Sequence, residues 1–288
     1  MMTAKNSVET KIPRPTMESR LHLYLAWGCP FCHRILTALA LTGLRDHVSY
    51  TWMRNIKGPA GWEIAPADEP LFGEDSLRNV YRRLQPGVDA APSVPLLVDL
   101  STKRLLSSDS AQITRFIATG MDGAHAIERE LVPAQLVDQI DAMNLWLHRH
   151  VNRAVYEVGF ATSQGEYERK LAVLFQSLDR LELRLAEQPY LLGNTPSESD
   201  LFLLPTLLRF DSVYHPLFKC CYQYIADYPA LSGYLSRMLE IDGVAATYDE
   251  FLTKQHYFCS VMHVGNEVRD LNPSRLIPVT QYSMLLQA

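Results

Sequence analysis

Leu21-His22-Leu23-Tyr24-Leu25-Ala26-Trp27-Gly28-Cys29-Pro30-Phe31-Cys32-His33-Arg34 is the stretch around which the rest of this 288-residue chain is read. Its first half alternates, with the period of a half-buried strand. Its second half opens an apolar stripe, Ile35, Leu36, Leu39 and Ala40, which stops at Gly43 and predicts a helix with a glycine C-cap. Cys29 therefore stands at a strand-to-helix turn, at or just before the first helical residue. Pro30 fits the first helical position, where a missing N–H costs nothing. The free N–H groups of the first turn point at the sulfur and the helix dipole adds partial positive charge, so thiolate is favoured over thiol. His33 and Arg34, one turn on, are expected to add to that field. Cys32 is near enough for a disulfide with Cys29. The pair also reads as buried structural cysteines or as half of a zinc site. Zinc wants a second pair at similar spacing, which Cys220-Cys221 and the lone Cys259 do not supply, so no metal is expected.

Working outward, residues 48–53 read as a second strand, parallel to the first across a right-handed crossover. Residues 54–91 are rich in Gly, Pro and charge and too long for a plain connection, so they are expected to be functional or to carry short helices, one of them over residues 76–83. Val94-Pro95-Leu96-Leu97-Val98-Asp99 reads as a third strand, with Pro95 at its first residue because proline cannot donate to a ladder. A cis bond there, opposite the Cys-Pro turn, leaves the Val94 N–H and C=O free to pair with a peptide-like ligand; an ordinary trans proline at a strand start is the other reading. Arg104-Leu105-Leu106 is a short antiparallel return. Ser108-Asp109-Ser110 then opens a helix that ends near Gly120. These residues read as an N-cap, or as a head-group site in which Ser110 and the helix N–H groups hold a carboxylate and Asp109 an ammonium.

From Pro133 the pattern is helical throughout. Leu136, Ile140, Met143, Leu147 and Val151 form one stripe; Tyr167, Leu171, Leu174, Leu178, Leu181 and Leu185 form another, as in a bundle. Ser197 and Asp200 have capping-box spacing. The helix they start is apolar all round over residues 201–208 and is expected at the centre of the bundle, with Pro205 inside it. Asp227-Tyr228-Pro229 is expected to cap a further helix. The expected fold is α/β plus all-α: an arm (1–20), a βαβ-ββα domain (21–120), a linker (121–131), a helical domain (132–256) and a tail wrapping the surface (257–288), with the ligand site at the domain junction. A net charge of −5 with mixed signs gives no basic surface for nucleic acid or membrane, and no run approaches ~18 apolar residues. Five irregularly spaced cysteines fit a reducing compartment. The first 20 residues lack the apolar core of a signal peptide, so a cytoplasmic protein is expected.

This order of parts resembles a cysteine-type cytosolic glutathione transferase, whose N-terminal domain is thioredoxin-like. Cys29-Pro30-Phe31, Val94-Pro95 and Asp109-Ser110 match that family's glutathione-binding points in order, and the omega class shares the Cys-Pro-Phe run. The second half resembles the xi class, the glutathionyl-hydroquinone reductases. The matching runs are residues 151–162, Arg209-Phe210-Asp211-Ser212-Val213-Tyr214, Phe218-Lys219-Cys220, His256-Tyr257-Phe258, Asn272-Pro273 and Ile277-Pro278-Val279, with Gly61-Trp62 and residues 77–81 in the first half. The xi class usually has Trp at Phe31, Ala at Cys32, Glu at Asp109 and Tyr at Phe258. The resemblance implies glutathione as co-substrate, a small aromatic or quinone-like second substrate, and a homodimer. It also implies that the Cys29 thiolate removes glutathione through a mixed disulfide, that Tyr156 and Tyr257 lie near the ring, and that Phe31, Trp62, Arg78, Val94, Pro95, Asp109 and Ser110 bind substrate; on the residues alone the two tyrosines also read as amphipathic core tyrosines, Trp62 as a hydrophobic plug and Arg78 as a solvated helix arginine. Cys32 opens a dithiol route through a Cys29–Cys32 disulfide. Other readings are an omega-like thioltransferase or dehydroascorbate reductase, a conjugating transferase, and a non-catalytic module binding glutathione or a hydrophobic ligand.

Overall fold

In a computed structural model, which describes residues 11–87, 92–264 and 267–270, the alternating run becomes β1 (Leu21–Leu25), buried at every position rather than on one face. Its polar members are satisfied inside. The His22 ring bonds Ser49 Oγ (2.7 Å) and Thr51 Oγ1 (3.0 Å), and the Tyr24 hydroxyl donates to Glu69. Burial of those groups is tolerable because each has a partner. β1 pairs in parallel with β2 (Ser49–Trp52) and antiparallel with β3 (Leu96–Asp99), which pairs antiparallel with β4 (Arg104–Ser107); the order is β2-β1-β3-β4. The third strand starts at Leu96, not at Val94 or Pro95. Pro95 has no N–H to give the ladder, and the Val94–Pro95 bond is cis.

α1 (Pro30–Thr42) ends at Gly43, whose φ of 73° supplies the left-handed C-cap. The long segment after β2 carries α2 (Leu77–Leu84), capped by Ser76. It buries Trp62, Ile64 and Leu71, and Glu69 accepts the N–H groups of Leu71, Phe72 and Glu74. α3 (Ser110–Ala118) lies against α1.

The helical half contains α4 (Val137–Leu147), α5 (Ala154–Gly159), α6 (Gln164–Glu187), α7 (Glu198–Arg209), α8 (Pro229–Leu239) and α9 (Glu250–Cys259). The Ser197–Asp200 capping box is formed, and α7 is buried along nearly its whole length, Pro205 included. α7 packs on α1, so one apolar core runs through sheet and bundle. Asp227 does not cap α8. Its carboxylate takes the Tyr224 N–H, while Glu182 of α6 accepts from Ala230 and Leu231 at the start of α8. Tyr257 lies inside α9 rather than at the head of a tail, and a hairpin of β5 (Val261–Val264) and β6 (Glu267–Asp270) follows. Residues 1–10 of the arm, residues 88–91 of the long segment, and the tail matches Asn272-Pro273 and Ile277-Pro278-Val279 lie outside the described residues.

Candidate active site

Cys29 is the N-cap of α1, with extended backbone, and Pro30 occupies the first helical position. Its Sγ lies 3.8 Å from the Val94 carbonyl oxygen. Cys29 keeps 8% of its surface exposed; Cys32 keeps none. Burial pushes the Cys29 thiol up. Hydrogen bonds from the Cys32 thiol and from the Cys32 and Phe31 N–H groups outweigh that, with help from the Arg209 charge, and bring it down to about 7. Cys32 goes the other way: burial, and its role as donor to Cys29, hold it well above the ordinary thiol value. The two cysteines therefore differ in kind, one a thiolate near neutrality and the other a thiol that donates to it.

His33 does not add positive charge to this turn. It is buried, and burial, with Arg209 beside it, lowers its pKa well below the usual range. Arg209 Nη1 donates to His33 Nδ1 (2.9 Å), so the ring's proton sits on Nε2 and goes to Thr247 Oγ1 (2.9 Å), whose own hydroxyl donates to Val244 O. The charge near the turn comes instead from Arg34 and from Arg209, at the end of α7, which also donates to the carbonyls of Trp27 and Gly28 (both 3.3 Å). Sequence reasoning quoted Arg209 only as part of a motif; the available signal was a lone cation ending an otherwise apolar helix. Gly28 is fixed by close packing. A Cβ there meets the His256 ring at 2.2 Å.

A cavity of about 1070 Å³ opens beside the turn, with Phe31, Arg34, Val94, Pro95, Asp109 and Ser110 in its wall. Arg34 is 2% exposed, stacks its guanidinium on Phe202 (3.9 Å to the ring centroid) and Phe31 (5.1 Å), and has a buried Nε with no hydrogen-bond partner. Burial lowers its pKa to about 10, against the pull of Cys29, Asp109 and Glu198, so it stays charged at neutral pH. Asp109 caps α3, accepting from Ala111 N (2.7 Å) and Gln112 N (3.1 Å) with one oxygen. Its cap and cavity positions coexist. Arg115, also in the wall, is spent on Glu198 and Asp141.

On the bundle side three hydroxyls meet. Tyr257 OH lies 2.6 Å from Tyr156 OH and 3.1 Å from Tyr214 OH. Burial pushes all three up, so they remain phenols. Tyr214 was not singled out from sequence. It is set by a π-turn, Phe210–Tyr214, directly after α7, a local widening that re-aims side chains. Trp62 stacks on His256 (5.3 Å), and His256 Nδ1 lies 3.0 Å from Asn55 O, so the long segment after β2 docks on α9. Arg78 is exposed on α2, makes no ion pair among the described residues and does not line the cavity. Among the described residues no cluster of three or more His, Cys, Asp or Glu could hold a metal ion, and no helix is long and apolar enough to cross a membrane.

Residues 28–119 match the glutathione S-transferase N-terminal domain and residues 164–237 its C-terminal domain. The glutathionyl-hydroquinone reductase PcpF of Sphingobium chlorophenolicum is 35% identical over 264 residues, covering 90% of this chain and 82% of PcpF. The glutathione-bound structure of YqjG, a glutathione transferase homolog from Escherichia coli K-12, aligns with a TM-score of 0.79 at 35% identity, over 84% of this chain and 80% of YqjG. Glutathione transferase Xi 1 from Trametes versicolor aligns with a TM-score of 0.79 at 33% identity, over 84% of this chain and 87% of that one.

Proposed function

The chain belongs to the glutathione S-transferase family, with the xi-class glutathionyl-hydroquinone reductases, and on that premise we propose that it strips glutathione from a glutathionylated aromatic substrate. The Cys29 thiolate attacks the glutathionyl sulfur. The sulfur–carbon bond breaks, its electron pair stays on the aryl carbon, and that carbon collects a proton. The product is a reduced hydroquinone and a Cys29–glutathione disulfide. A second glutathione, as thiolate, attacks the disulfide and leaves as oxidised glutathione, restoring the Cys29 thiolate. Tyr156 and Tyr257, both protonated, suit the hydrogen bond to an aryl oxygen or the proton delivery that this step needs.

One observation carries the reading: a cysteine at a helix N-terminus whose neighbours bring its thiol down to about 7, directly behind the wall that Phe31 and Val94 give a cavity large enough for a tripeptide and a ring. In that cavity we assign the γ-glutamyl carboxylate to Ser110, the first N–H groups of α3 and the unpartnered Arg34 guanidinium, and the γ-glutamyl ammonium to the free oxygen of Asp109. Phe31 and the Val94-Pro95 backbone border the rest of the peptide; Trp62 and Arg78 lie outside the cavity wall, so neither is assigned a contact with the peptide seated there. We place the working enzyme in the cytoplasm as a homodimer, which light scattering tests. The direct test of function is oxidised-glutathione release from a glutathionyl-hydroquinone by the full chain, with intact mass on a single turnover. A glutathione adduct on Cys29 and steady turnover support the reading. A fully folded protein that forms neither product nor adduct overturns it.

A further inference from the structure

Arg209 has no exposed surface. Its hydrogen bonds all go to neutral acceptors: Trp27 O, Gly28 O, Pro205 O (3.0 Å) and His33 Nδ1. Among the described residues it joins no ion pair. A guanidinium out of water with no anion is an expensive arrangement, and proteins normally pair such a charge. Arg115, by contrast, is paired twice over.

Facing Arg209 from α1 are Cys29, Cys32 and neutral His33; Cys32 is held as a thiol. From α5 and the π-turn come Tyr156 and Tyr214, and from α9 and the turn before it Tyr257, His256 and Tyr248. Burial keeps all of these uncharged near neutral pH: the phenols are pushed up, and His256 down to about 4. The other cations that feel Cys29 are Arg34, which faces the cavity, and Lys57. The carboxylates on these elements are turned elsewhere, Asp211 to the Ile225 and Ala226 N–H groups, Glu157 to Arg153 and Glu250 to Lys254, so among the described groups that feel the Arg209 charge the one that becomes an anion near neutral pH is the sulfur of Cys29.

We propose that Arg209 is the built-in counter-charge of the Cys29 thiolate, a positioning residue of the bundle that reaches across to the sheet half and grips the two carbonyls preceding the nucleophile. It touches no substrate. It makes the nucleophile conditional on the two halves being docked, since the cation sits on α7 and the sulfur on α1. The inference rests on Cys29 being the nucleophile.

The test is the pH profile of iodoacetamide alkylation at Cys29, followed by peptide mass spectrometry, in full-length wild type, Arg209→Met, Arg209→Gln and Arg209→Lys. In the two neutral variants the half-point is expected to rise by about half a pH unit, so that alkylation at pH 6 slows roughly threefold while the high-pH plateau holds. Arg209→Lys keeps the charge and is expected to keep the wild-type half-point. Folded neutral variants with an unmoved half-point overturn the inference, as does a lysine variant shifted as far as the neutral ones, because geometry rather than charge is then responsible. Should neither neutral variant fold, as judged by circular dichroism, the lysine variant decides alone: an unmoved half-point supports the charge, a raised one overturns it. A wild-type half-point near the ordinary ~8.5 instead removes the nucleophile reading itself, which separates the two failures.

Discussion

Arg34 and Arg209 are both buried to within 2% of completely, and both send positive charge towards one sulfur, yet their surroundings are opposite. Every guanidinium nitrogen of Arg209 is bonded to a carbonyl or a neutral imidazole; Arg34 lies between two aromatic faces with its Nε unpaired and the cavity in front of it. The difference teaches which charge belongs to the protein and which to a ligand. A guanidinium whose donors are filled has finished its work when the chain folds. One whose donors are empty is completed only by an anion that arrives later.

The largest effect that bears on this comparison comes from removing what both cations face. Cys29→Ser is expected to lower deglutathionylation by roughly 10³-fold or more, measured as oxidised-glutathione release. With Cys29 intact, kcat/KM is expected to climb with pH through about 7 and level off above it, because the thiolate is the form that exists above that value. An activity that is flat from pH 5.5 to 8.5 breaks the link between the buried charges and the sulfur.

Next in size is the ligand side. Charge-assisted bonds to a carboxylate contribute about 1.5–3 kcal/mol, so Arg34→Met is expected to raise KM for glutathione by roughly 10- to 150-fold. The Cys29 alkylation half-point should move far less than in Arg209→Met. Stability sharpens the contrast because the signs differ. Arg34→Met removes an unpaired buried charge and is expected to leave the apo melting temperature unchanged or raised. Arg209→Met strands three carbonyls and a ring nitrogen and is expected to cost about 2 kcal/mol or more. Equal melting temperatures for the two variants erase the distinction.

Much of this was legible in the sequence, because the decisive signals were local. The Cys29-Pro30 turn, the glycine stop at Gly43, the parallel second strand, the proline before the third and the Ser197–Asp200 box each depend on a few adjacent residues. What escaped was non-local. His33 looks like a positive neighbour of Cys29 until burial, together with Arg209 176 positions on, is seen to hold it neutral. Asp227 looks like a cap until Glu182 reaches in from another helix. β1 looks half-buried because its partners Ser49, Thr51 and Glu69 cannot be read from its own alternation. Tyr214 sits at a π-turn, for which period-3.6 reading has no signal.

The smallest predicted effect concerns Cys32, and it decides between two mechanisms. Proximity alone favours a dithiol route, since Cys32 lies within hydrogen-bond reach of Cys29. Exchange, however, needs a thiolate with access to the disulfide. Cys32 has no exposed surface, and burial together with its bond to Cys29 keeps its proton on. Its chemistry here is that of a donor: it stabilises the charged form of Cys29, and losing it raises the Cys29 pKa. Cys32→Ala is therefore expected to keep turnover with glutathione, slowed roughly threefold below pH 7 and unchanged above pH 9, where Cys29 is ionised in both proteins. Turnover abolished at every pH while Cys29 still alkylates normally assigns the second step to Cys32 instead, and makes the buried thiol a nucleophile that opens to the cavity during the reaction.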